Sequence, residues 1–267
     1  MVGIVNVTPD SFSDGGDFFS PDSALSHARG LVDDGADILD VGGESTRPNA
    51  TPVPTAEELR RVLPVVRALR AAHPQIPLAI DTVKAVVAEA AIAEGVAIVN
   101  DVSALRLDPD MAGVCAKTGA GVILMHSRGA VGDMASYANA EYADVTAEVV
   151  AELRARVSAA RASGISAEAL VLDPGIGFSK RTEHSLQVLA DLPKLTSLGL
   201  PVLVGVSRKR FIGEITGVTT AADREEGTIA ANIVALTLGA RLFRVHDVRA
   251  ARRSLDVAWE ILRRTWT

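Results

Sequence analysis

Short apolar runs recur along the chain at spacings of roughly 30 residues, the length of one strand–helix unit. They read VGIVNV, DILDVGG, PLAIDT, VAIVND, GVILMH, LVLDPG, PVLVGVS and RLFRVHD. Each is β-branched and apolar almost without alternation, as parallel strands covered on both faces are. Between them the apolar positions fall at helical spacing. Leu59, Val62, Leu63, Val66 and Leu69 form one stripe. Val145, Val149, Leu153 and Val157 form another, and Leu255, Ala258, Trp259, Leu262 and Trp266 a last one.

Gly35, Gly95, Gly119, Gly164, Gly199 and Gly239 stand where each helical pattern gives way to a strand. Glycine there suits a left-handed helix C-terminus. No linker, low-complexity tract or heptad repeat divides the chain. Eight strand–helix units imply a single-domain α/β protein over 1–267, a (β/α)8 TIM barrel with its site at the C-terminal ends of the strands. A doubly wound open sheet is the alternative. The count of eight and the lack of a Gly-x-Gly-x-x-Gly turn after the first strand disfavour it.

Composition narrows the class further. The 267 residues are 48% hydrophobic and carry a net charge of −6, which favours neither nucleic acid nor an anionic membrane as partner. Cys115 is the one cysteine, so no intrachain disulfide forms. No apolar run approaches the ~20 residues of a membrane span. With no secretory signal pattern at the start, the expectation is a cytoplasmic protein.

The strand ends carry polar side chains in turn: Asn6, Asp40, Asp81, Asn100, His126, Asp173, Ser207 with Lys209, and Arg244 with His246. Any one could cap a helix or open a turn. A barrel brings all of them to one rim. Asp81, Asn100 and Asp173 suit the donor edge of a planar heterocycle. Lys209, Arg244, His246 and Ser207 suit a phosphate group. The expected ligand is therefore a nitrogen heterocycle with a phosphorylated tail, its acid and amide contacts on one side and its cationic contacts on the other. Two stretches, residues 8–16 and 42–54, are long and rich in Gly, Pro, Ser and Thr, as lids over a barrel site are.

NVTPDSFSDGG, GGESTRP, DPGIGF, SRKRFIG and RVHDV, in this order, resemble the signature segments of the dihydropteroate synthase family, and the likeness covers nearly the whole chain. The resemblance implies a transferase of folate biosynthesis and a sulfonamide target. Its reaction joins 6-hydroxymethyl-7,8-dihydropterin pyrophosphate to p-aminobenzoate by an SN1-type route. The products are 7,8-dihydropteroate and pyrophosphate, and Mg²⁺ is required. Carried over by position, Asp81, Asn100, Met125, Asp173, Phe178 and Lys209 bind the pterin. Asn6, Thr46, Arg244 and His246 bind the diphosphate, with Asn6 also the metal contact. Phe12, Arg47, Pro48, Ser207 and Lys209 frame the p-aminobenzoate. Lys209, Asp81, Asp173, Arg47 and Phe12 are the catalytic set.

The chain departs from the common pattern at Asn49, Val83, Ser127, Ser179 and Arg210. Arg210 either meets the substrate carboxylate or lies solvated on the surface. Two rival readings share the fold: a methyltetrahydrofolate methyltransferase-like barrel, and a non-catalytic pterin-binding paralogue. The family resemblance implies a homodimer through the last helices. Trp259 and Trp266 suit that interface and core packing equally well.

Overall fold

The computed structural model describes residues 1–7, 21–46 and 51–264. Strands and helices alternate from the start. The chain runs through β1 (Val2–Asn6), α1 (Pro21–Asp33), β2 (Ile38–Gly42), α2 (Thr55–Ala72), β3 (Leu78–Asp81), α3 (Ala85–Ala93), β4 (Ile98–Asp101) and α4 (Met111–Thr118). The second half follows as β5 (Gly121–Met125), α5 (Val145–Ala162), β6 (Leu170–Asp173), α6 (Thr182–Ala190), α7 (Leu192–Thr196), β7 (Leu203–Val204), α8 (Arg210–Thr216), α9 (Glu225–Thr237), β8 (Leu242–Val245) and α10 (Val248–Leu262). The strands are all parallel, in the order β6-β5-β4-β3-β2-β1-β8-β7. A parallel bridge between Leu172 and Val202, with the Leu172 amide donating to the Pro201 carbonyl at 2.9 Å, joins β6 to β7 and brings the ring round on itself. The expected eight-stranded barrel is present.

All six glycines expected at helix ends have positive φ, between 71° and 105°. The helices pack their apolar faces outside the sheet, with Val62, Val66 and Leu69 of α2 and Val149 and Leu153 of α5 fully buried. The last stripe is different. Leu255 is buried, but Trp259 is 37% exposed and lies near the Arg241 guanidinium, so it is no core residue; Trp266 lies outside the described residues.

Side chains alternate across the strands more strictly than their uniform apolarity suggests. Val2 of β1 packs with Ile123 of β5 and Leu203 of β7, which are not neighbours in the sheet, so the contact runs through the barrel interior. Ile38, Ile98, Val171 and Leu242 pack against the same cluster. This is the apolar floor. Two residues further along each strand the same inward face presents Asp40, Asn100, Met125, Asp173 and Arg244. A period of two thus turns a buried apolar layer directly into a polar one at the C-terminal end.

Candidate active site

The polar layer is tied together by Arg244. Its Nε donates to Asp40 Oδ2 at 2.6 Å and its Nη2 to Asp81 Oδ2 at 2.9 Å. Asn100 Nδ2 donates to the same Asp40 oxygen at 2.9 Å. The separation expected between an acidic side and a cationic side does not hold. β8 lies beside β1, so the long Arg244 side chain reaches across to the carboxylates of β2 and β3. Asp40, expected at the rim, is wholly buried, and its Oδ1 has no hydrogen-bond partner among the described residues.

Burial sets the protonation of this layer. It pushes the Asp81 carboxyl up to about 7, against the opposing pull of Arg244, with Asp40 adding repulsion. Burial likewise raises Asp173 to about 6, although the Gly175 amide donates to its Oδ1 at 2.7 Å and Lys209 stands nearby. Lys209 is lowered to about 8 by desolvation and then by Arg244. Its Nζ sits 3.9 Å from the centroid of the Phe178 ring, a cation–π contact. Phe178 and Met125 share one apolar cluster with Val83, Val102 and Met134. The structure thus brings Asp81, Asn100, Met125, Asp173, Phe178 and Lys209 together around one mouth: an apolar wall, two titratable carboxyls, an amide and an ammonium.

Ser207 follows β7 and its Oγ lies 2.9 Å from His246 Nδ1, while the His246 amide donates back to that Oγ at 3.2 Å. The pair links the ends of β7 and β8. Asn6 closes β1, and Thr46 stands four residues beyond β2, both half-buried. The base of the long second stretch is held firmly. Lys84 Nζ bridges Glu44 at 3.0 Å and buried Glu58 at 2.5 Å, and Glu44 also accepts from the Val53 amide at 2.6 Å. Phe12, Arg47, Pro48 and Asn49 lie outside the described residues. Arg208 is turned away towards Glu225, and Arg210 lies exposed over the Tyr137 ring at 3.9 Å.

For a divalent cation the donor set is sparse. Among the described residues no group of three or more His, Cys, Asp or Glu side chains is placed to hold one. Asn6 offers a neutral carboxamide oxygen. Mg²⁺ takes oxygen ligands and usually binds through few protein groups plus waters and substrate phosphates. Asn6 therefore fits an ion carried in with a diphosphate better than a resident one.

The sequence carries no sign of the roles of Asp40 and Lys180 beyond the place of Asp40 at a strand end and that of a lysine just after the Gly-rich turn that follows β6. Lys180 is 1% exposed and lies against His126.

The pterin binding enzyme family matches residues 2–246 of this chain. The dihydropteroate synthase of Mycobacterium leprae is 44% identical over 97% of this chain and 93% of its own length. The mitochondrial folate synthesis bifunctional protein of Arabidopsis thaliana is also 44% identical, over 99% of this chain, which spans about half of that longer protein. A solved structure of Xanthomonas albilineans dihydropteroate synthase with 4-aminobenzoic acid superposes with a TM-score of 0.91 at 47% identity, covering 98% of this chain and 92% of that one.

Proposed function

The chain belongs to the pterin binding enzyme family, and from that premise we infer that it has dihydropteroate synthase activity, condensing 6-hydroxymethyl-7,8-dihydropterin pyrophosphate with p-aminobenzoate. The observation that carries this reading is the mouth itself. Asp81, Asn100, Asp173 and Lys209 converge beside Met125 and Phe178 at the C-terminal end of the barrel. A dihydropterin has an apolar ring face and an edge of N–H donors. The carboxylates of Asp81 and Asp173 accept from that edge, Asn100 both donates and accepts, and Met125 and Phe178 cover the face.

In the proposed reaction the C–O bond to the diphosphate breaks first, and its electrons leave with the diphosphate. The carbon left behind is a cation conjugated with the pterin ring. The carboxylates of Asp81 and Asp173 stabilise it electrostatically. The amine of p-aminobenzoate then forms the C–N bond, and its proton passes to solvent. Thr46, His246 and Asn6 hold the leaving diphosphate. Arg244 adds its Nη1, which has no hydrogen bond among the described residues while Nε and Nη2 stay on Asp40 and Asp81. When bound, Mg²⁺ supplies charge to the diphosphate oxygens, and Asn6 is the residue that would meet it. Ser207 and Lys209, with Phe12, Arg47 and Pro48 of the segments not described, frame the p-aminobenzoate.

The proposed partner is a second copy of the chain. Val234 of α9 and Val257, Trp259 and Ile261 of α10 are exposed on helices that pack together. The proposed location is the cytoplasm; no helix among the described residues is long and apolar enough to cross a membrane. The test of function is product formation from the two purified substrates with Mg²⁺ and with a chelator. Dihydropteroate and pyrophosphate appearing together, only with Mg²⁺, is the expected result. Tight pterin binding with no pyrophosphate released would overturn it in favour of a non-catalytic binder.

A further inference from the structure

The segment that follows β6, from Pro174 to Lys180, is wound tightly: Gly175, Gly177 and Ser179 all have positive φ, at 65°, 76° and 48°. Such a turn points carbonyls inward, and Lys180 collects them. Its side chain is 1% exposed, and its Nζ donates to the Gly175 carbonyl at 3.2 Å, to the Phe178 carbonyl at 3.0 Å and to His126 Nδ1 at 2.8 Å. An ammonium has three donors and no acceptor, so these three partners saturate it. The arrangement also sets the His126 tautomer. Nδ1 accepts from Lys180, so the proton is on Nε2 and is donated to Glu152 Oε2 at 3.1 Å. His126 stays neutral because burial and the neighbouring Lys180 hold it down to about 4.

The same turn makes two walls of the mouth described above. The Gly175 amide fixes Asp173 through Oδ1, and the Phe178 ring lies under Lys209 Nζ. Both residues are therefore placed by a backbone that is itself wrapped round the Lys180 ammonium. We propose that Lys180 is a positioning residue of the pterin site, acting through Asp173 and Phe178 and touching no substrate; this rests on the pterin reading above. Burial lowers the Lys180 ammonium to about 7, Asp173 and Glu152 pull it back up, and Arg128 and Lys209 add to the lowering. An ionised Asp173, the form that accepts from a pterin, thus strengthens the ammonium that holds it in place.

Lys180→Met keeps the length of the side chain and removes its donors. The expected result is a KM for the pterin pyrophosphate raised at least tenfold, a kcat that falls as Asp173 loses its placement, and a KM for p-aminobenzoate within twofold of wild type. Residue 180 in a merely structural role would lower the melting temperature and leave both Michaelis constants alone. A pterin KM within threefold of wild type, in a folded variant, overturns the proposal. Should the variant not fold, nitrogen NMR of His126 in the wild-type protein decides. The expected spectrum has a bare Nδ1 and a protonated Nε2 at pH 7, with the Nδ1 signal moving when 6-hydroxymethyl-7,8-dihydropterin is added. A protonated Nδ1, or an Nδ1 indifferent to bound dihydropterin, overturns it. If the wild-type protein binds no dihydropterin at all in calorimetry, the functional reading fails first and this inference with it.

Discussion

Charged groups in this mouth are few, so single changes have readable consequences. Lys209 faces both Asp173 and the Phe178 ring, where the pterin and diphosphate regions meet. Lys209→Ala removes a charge-assisted contact, and kcat/KM is expected to fall by the equivalent of ~2–4 kcal/mol; steady-state kinetics on a folded variant checks it, and a loss under threefold would contradict the role. The pH dependence follows from the same neighbourhood. Asp81 and Asp173, raised to about 7 and about 6, must be ionised to accept from the pterin, so kcat/KM for that substrate rises with pH up to about 7. Lys180 and Lys209, lowered to about 7 and about 8, lose their charge as pH rises further, so the rate constant falls again. The expected profile is a bell centred near pH 7. Asp173→Asn should remove the limb near 6 and weaken pterin binding, because one acceptor becomes a donor facing donors. A profile flat from pH 5 to 9 would show that neither carboxyl titrates in the free enzyme.

At the scale of single elements the chain was legible wherever one local rule decides. The six helix-end glycines were read correctly because a left-handed turn leaves almost no other residue available. The strands were found as apolar runs, but those runs hid the alternation that separates floor from mouth, because both faces of a barrel strand are buried. β7 shows the cost: PVLVGVS reads as a long strand, yet only Leu203 and Val204 pair regularly. The contacts of Asp40 with Asn100, of Lys180 with His126 and of Lys84 with Glu44 and Glu58 are not legible in the sequence, since each joins residues 26 or more apart. Resemblance supplied the roles of Asn6, Thr46 and the pterin set; the residues alone supplied only a heterocycle with a phosphorylated tail. The turn after β6 yields a contrast that tests the local geometry. A Cβ at Gly175 would lie 1.9 Å from the His126 carbonyl oxygen, while one at Gly199 meets nothing within 4 Å, although both glycines have positive φ. Gly199→Ala should cost only the backbone strain, about 1 kcal/mol. Gly175→Ala should cost several times more, on the order of 3 kcal/mol or above, because backbone must move. Urea unfolding of the two variants side by side measures the difference, and equal losses would mean that the turn after β6 yields freely.

For the molecule as a whole, the site is a set of ionisable groups that folding takes out of water, and the pH dependence of stability carries its mark. Asp81 and Asp173 bind protons more tightly folded than unfolded, so their contribution is full at low pH and is lost as pH rises towards about 7 and about 6. His126, lowered to about 4, acts oppositely: the unfolded chain binds its proton more tightly, and stability grows with pH until the ordinary histidine range is passed. One gain against two losses leaves a shallow decline from pH 5 to 7. Above 7 the lysines take over. Lys180 and Lys209 are lowered to about 7 and about 8, so the unfolded state holds more protons than the folded one, and stability climbs as pH rises from 7 to 9. Cys115, raised to about 11 by burial, begins to offset this only beyond pH 9, where an unfolded thiol ionises first. The ligand-free protein should therefore be least stable close to neutral pH, the reverse of the usual maximum between about pH 5 and 8. Denaturant midpoints measured from pH 5 to 9 test it. Lys209→Met should reduce the rise between pH 8 and 9 and leave the decline below 7 in place. A single broad maximum near neutral pH, unchanged in the variant, would show that these lysines keep their ordinary protonation when the barrel folds.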